Sequence, residues 1–294
     1  MRVFVVGTTL LICGALLPSP GLAQYSAEPA PSERFPWPEG RRVALSLTFD
    51  DARLSQVDAG IPLLDQHGIK ATFYVSPRGV EPRLEGWKAA VAAGHEVGNH
   101  SLTHPCTGNY PFSRDNALED YTLERMALDI DDASRGIERL LGVRAASFAY
   151  PCGQKFVGRG LGARSYVPLI ARTFRTGRGW LGESSNDPWI CDMAQLLGME
   201  SDGRSFEELR ALIEEAAEGG RWLILAGHEM ADTGSQATSL KTLEALARYV
   251  NDPANGIWIE TVGAVAEFVV ENRRSAKDTV VQDCVLGRGS RPQA

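Results

Sequence analysis

Apolar and polar positions along the chain fall into two alternating patterns, short apolar runs and longer stretches with helical spacing. Residues 42–49 form a β-favouring apolar run, which reads as a buried first strand. Residues 57–66 carry apolar side chains at helical spacing and stop at Gly68. The pattern then predicts a strand over 71–75, a helix over 84–93 ended by Gly94, and a third strand over 95–99. A polar, aromatic loop (105–114) leads to a long helix over 118–141, closed by Gly142, and a fourth strand over 145–150. The Gly-rich, basic stretch 154–164 reads as a surface loop, 165–174 as a short helix limited by Pro168, and 178–191 as a loop containing Trp180 and Trp189. Beyond it come a strand over 194–199, a capped helix over 205–218 and a strand over 222–226 that runs into Gly227 and His228. Helices over 238–249 and 262–270 flank a short strand over 256–259, and a last strand is expected over 279–285, stapled by Cys284.

Strand and helix alternate without an internal repeat. That order calls for parallel strands with crossover helices, in a barrel or an open doubly wound sheet. With 294 residues, 44% of them hydrophobic and 23% charged, one α/β domain accounts for the length.

The two ends lie outside this pattern. Met1-Arg2 followed by an apolar run to Leu17, a Pro-rich break and the small residues before Gln24 read as a secretory signal peptide over 1–23, too short for a confident membrane span. Residues 24–40 read as an irregular N-terminal arm, 41–272 as the barrel domain and 273–294 as a C-terminal extension. Cleavage removes one Arg and no acid from a formal charge of −7, leaving −8. An acidic protein lacks the basic surface that DNA or RNA requires, and no second apolar segment is long enough for the membrane. The expected location is therefore secreted or periplasmic. Four cysteines remain after cleavage (Cys106, Cys152, Cys191, Cys284), a count that suits disulfides in an exported protein without fixing their pairing.

The candidate chemistry gathers at predicted strand ends. Asp50 and Asp51 terminate the first strand, and adjacent residues on an extended segment face opposite sides, so one acid can meet a metal while the other faces substrate. His100 and His104 follow the third strand, four residues apart, a spacing that would put both on one face of a helical turn. Two imidazoles and a carboxylate suffice for a divalent ion that keeps an open position, and a further carboxylate beside them can act as a base toward water. His228 ends a later strand after a glycine, where it can serve as a general acid. His67 and His95 fit structural roles at a helix end and a strand start. Trp180 and Trp189 either stack on a sugar ring or fill space over the barrel.

The succession Thr48-Phe49-Asp50-Asp51, His100-Ser101-Leu102-Thr103-His104, Phe148-Ala149-Tyr150-Pro151-Cys152-Gly153 and Leu223-Ile224-Leu225-Ala226-Gly227-His228 resembles the polysaccharide deacetylases, carbohydrate esterase family 4 with its NodB-homology domain. The resemblance implies a distorted (β/α)7 barrel and a divalent metal, usually zinc, with Co2+ or Ni2+ as substitutes, held by Asp51, His100 and His104. It implies Asp50 as general base, His228 as general acid for the departing amine, and Tyr150, or the backbone after it at Pro151, on the oxyanion and substrate side. The substrate would be an N-acetylated, or O-acetylated, oligo- or polysaccharide. A non-sugar amide or ester hydrolase with the same metal site, and a non-catalytic carbohydrate-binding protein that retains the metal, are the rival readings. Two departures stand out. Ala149 occupies the place of an Arg that in many members holds the base aspartate, which leaves either Arg178 or Arg175 to tether Asp50 or the base untethered. The motif with an Asp before Trp is indistinct, with Asp202 as the candidate. Cys106 and Cys152 both follow motif segments at the same barrel edge and are paired first.

Overall fold

The computed structural model describes residues 34–285, with side chains through residue 273. The proposed signal peptide, the arm as far as residue 33 and residues 286–294 lie outside the described residues. Strand β1 (Val43–Asp50) is followed by α1 (Ile61–Gln66), β2 (Thr72–Val75), α2 (Leu84–Ala92), β3 (Glu96–Asn99), α3 (Leu123–Leu141) and β4 (Ser147–Ala149). Then come α4 (Val167–Thr173), β5 (Thr176–Arg178), β6 (Met199–Glu200), α5 (Phe206–Glu218), β7 (Trp222–Gly227), α6 (Leu240–Asn251), β8 (Ile257–Ile259) and α7 (Val262–Val285).

All eight residues of β1 are buried, because it is flanked on both edges and both faces are covered. It pairs in parallel with β7 along one edge, and with β2 and β8 on successive halves of its length. The parallel order continues through β3, β4 and β5. Closure comes from the segment around β6. Leu196 donates to Gly177 and accepts from Gly179, each at 2.8 Å, while β6 itself pairs with β7. Seven parallel strands thus ring a barrel, and β8 is added outside the ring, beside the start of β1. The expected distorted (β/α)7 barrel is the architecture found.

The floor of the barrel is plugged by aromatic rings. Phe35 and Trp37 pack with Trp189, Trp258 and Phe268, with centroids 4.5–6.2 Å apart. Trp189 therefore fills space at the floor, and the sugar-stacking alternative is left to Trp180.

Several boundaries differ from the sequence reading. The expected start of the long helix is a separate 3-10 turn, Leu118–Asp120, and the helix begins at Leu123 behind its Thr122 cap. The presumed loop 154–164 contains half of a small hairpin, Phe156–Val157 with Arg164–Ser165. Strand β5 was hidden because only three residues, one of them Gly177, form it. The expected strand over 194–199 is bent, with a 3-10 turn at Met193–Gln195 before β6. The strand anticipated over 279–285 is instead a continuation of α7. There, backbone hydrogen bonding within the helix wins over the β-branched residues that suggested a strand.

Candidate active site

The strand ends β1, β3, β4, β5 and β7 meet at one mouth of the barrel around a cavity of about 440 Å³. Asp50, Asp51, His100, His104 and His228 line it, together with Arg53, Tyr110, Phe112, Cys152, Trp180, Leu181 and Gln236. Parallel barrels place the C-terminal strand ends, and hence their site residues, on one face.

Asp51, His100 and His104 each present a ligand atom, and these atoms lie within 4.8 Å of one another. His100 Nε2 and His104 Nε2 stand 3.5 and 3.6 Å from Asp51 Oδ1. His100 Nδ1 lies 3.0 Å from the Ala149 carbonyl, which accepts its N–H and leaves Nε2 with a lone pair for a cation. Burial and the neighbouring His100 push the His104 pKa down to about 4, so His104 is neutral and able to ligate. Burial acts to raise the Asp51 pKa, but His100, His104, His228 and Arg53 outweigh it and hold it below the usual carboxylate value. A carboxylate and two imidazoles placed in this way fit a divalent cation with an open position.

The backbone that brings them together is not the helical turn expected from the i, i+4 spacing. Ser101 (φ 64°) and His104 (φ 48°) are left-handed, and His100–His104 forms an irregular loop. Its shape is imposed by buried polar groups. Asn99 Oδ1 accepts from Ser101 N at 2.6 Å, and Ser101 Oγ from His104 N at 3.0 Å. Asp129, on α3, accepts from Leu102 N at 2.8 Å and from the Thr103 hydroxyl at 2.5 Å. Asp129 was missed in the sequence, where it is one acid among several on a helix; its burial (8% exposed) is the distinguishing signal. Asp51 is also left-handed (φ 72°), so the extended-chain argument for opposed faces fails, and both acids line the same cavity.

Asp50 is held by Arg178, whose Nη2 donates to Asp50 Oδ1. Both side chains are buried, and the Arg178 guanidinium also stacks over the Tyr74 ring at 4.9 Å. Arg178 is the cross-strand register partner of Ala149. The guanidinium absent from position 149 is thus supplied one strand over; Arg175 instead pairs with Glu267 at 3.5 Å in a solvent-exposed bridge. Gln56, wholly buried, donates to the carbonyls of Asp50 (2.7 Å) and His228 (2.8 Å), tying the ends of β1 and β7 together. Sequence reading had no means to single it out.

His228 Nδ1 lies 2.7 Å from Asp202 Oδ2, and its backbone N–H donates to Asp202 Oδ1 at 3.2 Å. Burial alone would lower the His228 pKa; the Asp202 hydrogen bond and the charges of Asp50, Asp51 and Asp202 reverse this and raise it above the ordinary value. Gly227 is required here, since a Cβ at that position would sit 2.8 Å from Asp202 Oδ1. Cys106 and Cys152 form a disulfide with Cα atoms 6.0 Å apart, joining the loop after β3 to the turn after β4.

Tyr150 does not face the cavity. It is 1% exposed, and its hydroxyl donates to the Ala194 carbonyl at 2.7 Å. Pro151 is buried beside it and does not line the cavity either, so neither side chain is on the substrate side. A hydrogen-bond partner inside the fold outcompetes the solvated site for the phenol. His67 and His95 lie elsewhere, bonded to Glu244 at 3.0 Å and to Ala71 N at 3.1 Å.

Two carboxylates, two histidines and an acid-supported third histidine thus meet at the mouth of a seven-stranded α/β barrel. Residues 38–157 match the family described as polysaccharide deacetylase. The match includes Asp50, Asp51, His100 and His104 and stops short of Arg178, Asp202 and His228. Over 62 residues the chain is 40% identical to the peptidoglycan-N-acetylglucosamine deacetylase PgdA of Listeria monocytogenes, which covers 21% of this chain and 13% of that protein. The curated relatives it matches are spanned only over 4–27% of their own lengths. Among solved structures, a Mycobacterium smegmatis chain described as a polysaccharide deacetylase superposes with a TM-score of 0.62 at 15% identity, covering 83% of this chain and 96% of that one. A family 4 acetyl xylan esterase from Clostridium thermocellum, in complex with a cobalt ion, gives a TM-score of 0.50 at 18% identity over 76% and 91% of the two chains.

Proposed function

We propose that the protein is an exported, metal-dependent deacetylase that hydrolyses acetyl groups, chiefly N-acetyl, on a carbohydrate. The observation that carries this reading is the division of labour in one cavity: three ligand-competent groups, with Asp50 and His228 beside them but outside the cluster. A divalent cation, zinc in the first instance, would be held by Asp51, His100 and His104 and would supply Lewis acidity toward the acyl oxygen and toward a water.

The chain's own residues do the proton chemistry. Asp50, with Oδ1 engaged by Arg178, keeps Oδ2, which lies 3.9 Å from His100 Nε2, for the proton of an attacking water. Asp202 holds His228 by Nδ1, which directs Nε2 to the cavity as the donor to the leaving nitrogen. Amide hydrolysis needs that proton because the free amide anion is too poor a leaving group. The kinship with PgdA supports a peptidoglycan-type amino sugar as substrate. The basic-then-apolar residues 1–17 support export. Among the described residues no helix is long and apolar enough to cross a membrane.

The test is acetate release from N-acetylated chitooligosaccharides and peptidoglycan fragments before and after chelation. Release that disappears with the metal and returns on adding zinc supports the proposal. Release that survives exhaustive chelation contradicts it.

A further inference from the structure

His104 faces two ways. Its Nε2 stands 3.6 Å from Asp51 Oδ1, and its Nδ1 stands 3.7 Å from Cys106 Sγ. His100 differs, since its Nδ1 is taken by the Ala149 carbonyl. Ligand atoms of His104, Cys106 and Cys152 lie within 4.8 Å of one another, a second cluster that shares only His104 with the first. In a tetrahedral zinc site, with Zn–S about 2.3 Å and Zn–N about 2.0 Å, a nitrogen and a sulfur ligand stand roughly 3.6 Å apart. The His104–Cys106 spacing matches that edge.

The disulfide occupies both sulfurs, but the loops that carry them are also held without it. Ser113 Oγ accepts from Cys106 N and donates to the Cys106 carbonyl, both at 2.9 Å, and Leu118 N donates to the same carbonyl at 2.9 Å. Beyond Cys152, Gly153 N donates to the Tyr150 carbonyl at 2.8 Å. Between the two loops, Thr107 N donates to Gln154 Oε1 at 2.7 Å. Splitting the S–S bond therefore leaves two thiols side by side, on backbones whose Cα atoms stand 6.0 Å apart.

We infer that reduction of Cys106–Cys152 opens a second metal site, in which both thiolates and His104 Nδ1 bind a thiophilic divalent cation. A phosphine with water, or a dithiol, supplies the two electrons and two protons and leaves as the phosphine oxide or the cyclic disulfide. The cation then displaces the two thiol protons. Thiolates select zinc-like ions, whereas carboxylates suit harder ones. A neutral imidazole has one lone pair to give, so a cation on Nδ1 places the proton on Nε2 and removes His104 from the Asp51–His100 cluster. The two sites exclude each other, and the disulfide decides which one is open.

Cobalt(II) is the probe, because thiolate ligation adds an intense near-ultraviolet charge-transfer band that nitrogen and oxygen ligands lack. The full-length protein is titrated as oxidised and again in excess phosphine. The reduced protein shows the band and the oxidised protein does not. The Cys106→Ser, Cys152→Ser double variant lacks it under reductant, although Cys191 and Cys284 remain. Reduced His104→Ala binds at least about ten-fold more weakly than reduced wild type in chelator competition, the loss that even an outer partner of a ligand causes. X-ray absorption at the zinc edge needs no variant: two sulfurs at about 2.3 Å are expected in reduced wild type and none in the oxidised protein. Reduced wild type with neither the band nor zinc–sulfur scattering overturns the inference, as does a band that persists in the double variant. None of these readouts uses acetate release. If the oxidised protein binds no cation, the metal site of the proposed deacetylase fails, and the reduced spectrum still decides this one.

Discussion

The two ends of the barrel solve different problems with the same strands. At the floor, rings close the core by packing and polar groups are paired; Trp37, 3% exposed, donates to the Gly220 carbonyl at 2.9 Å. At the mouth, Asp51, Ala52, Ser101, His104, Cys152 and Leu181 all adopt left-handed backbone without being glycine. The mouth also holds the buried Asp50–Arg178 ion pair. Left-handed non-glycine residues and buried charge each cost stability and persist where surrounding structure enforces them. The comparison teaches that the fold is stabilised at one end and spends that stability at the other.

Arg178 belongs to both accounts, and changing it produces the largest effect. Arg178→Met leaves Asp50 buried and unpaired, which costs about 3–5 kcal/mol of folding stability. The same change lowers acetate release per folded molecule about a hundred-fold, since the base loses its orientation. Thermal melts and single-substrate kinetics read both losses. Because Ala149 is the register partner of Arg178, the double change Ala149→Arg with Arg178→Ala is the informative control; recovery of activity there shows that the guanidinium, not the strand, matters.

Trp37→Ala breaks the floor alone. Truncating a buried Trp costs about 3–5 kcal/mol, visible as a lower melting temperature, while kcat/KM per folded molecule stays at the wild-type value. A parallel loss of activity would erase the distinction between the two ends.

The smallest effect is a shift in pH dependence. In the proposed mechanism His228 donates a proton and so works only while protonated; its pKa is raised above the ordinary value, so activity is expected to be kept on the low-pH side and lost as pH rises through that pKa. Asp202→Asn removes the negative charge that opposes burial and leaves at most a neutral acceptor for Nδ1–H, so the His228 pKa falls and the high-pH decline begins at lower pH. A pH–rate profile whose alkaline limb does not move would remove Asp202 from the role of positioning His228.

Much of this comparison was legible in the residues, and the failures have specific causes. The alternation of apolar runs and helical stretches gave parallel strands with crossover helices, in a barrel or an open sheet, and the family resemblance selected the barrel. Asp50, Asp51, His100, His104 and His228 were visible because chemistry-bearing residues ended apolar runs. Strand β5 was not, since three residues with a central glycine carry no period. The conformation of the histidine loop was misread because spacing alone says nothing of Asn99, Ser101 and Asp129, whose hydrogen bonds impose left-handed turns. The direction of the Tyr150 side chain was misread, and the choice between two roles for Trp189 stayed open, for a related reason: which way a side chain faces at a strand end or in a loop depends on partners distant in sequence, Ala194 for one and Phe35 for the other.

The most direct test of the central claim is to measure bound zinc and acetate release together in Asp50→Asn. The separation of Asp50 from the Asp51–His100–His104 cluster predicts one equivalent of zinc retained and acetate release reduced about a thousand-fold, within the range a positioned base contributes. Retained zinc with undiminished acetate release would contradict it.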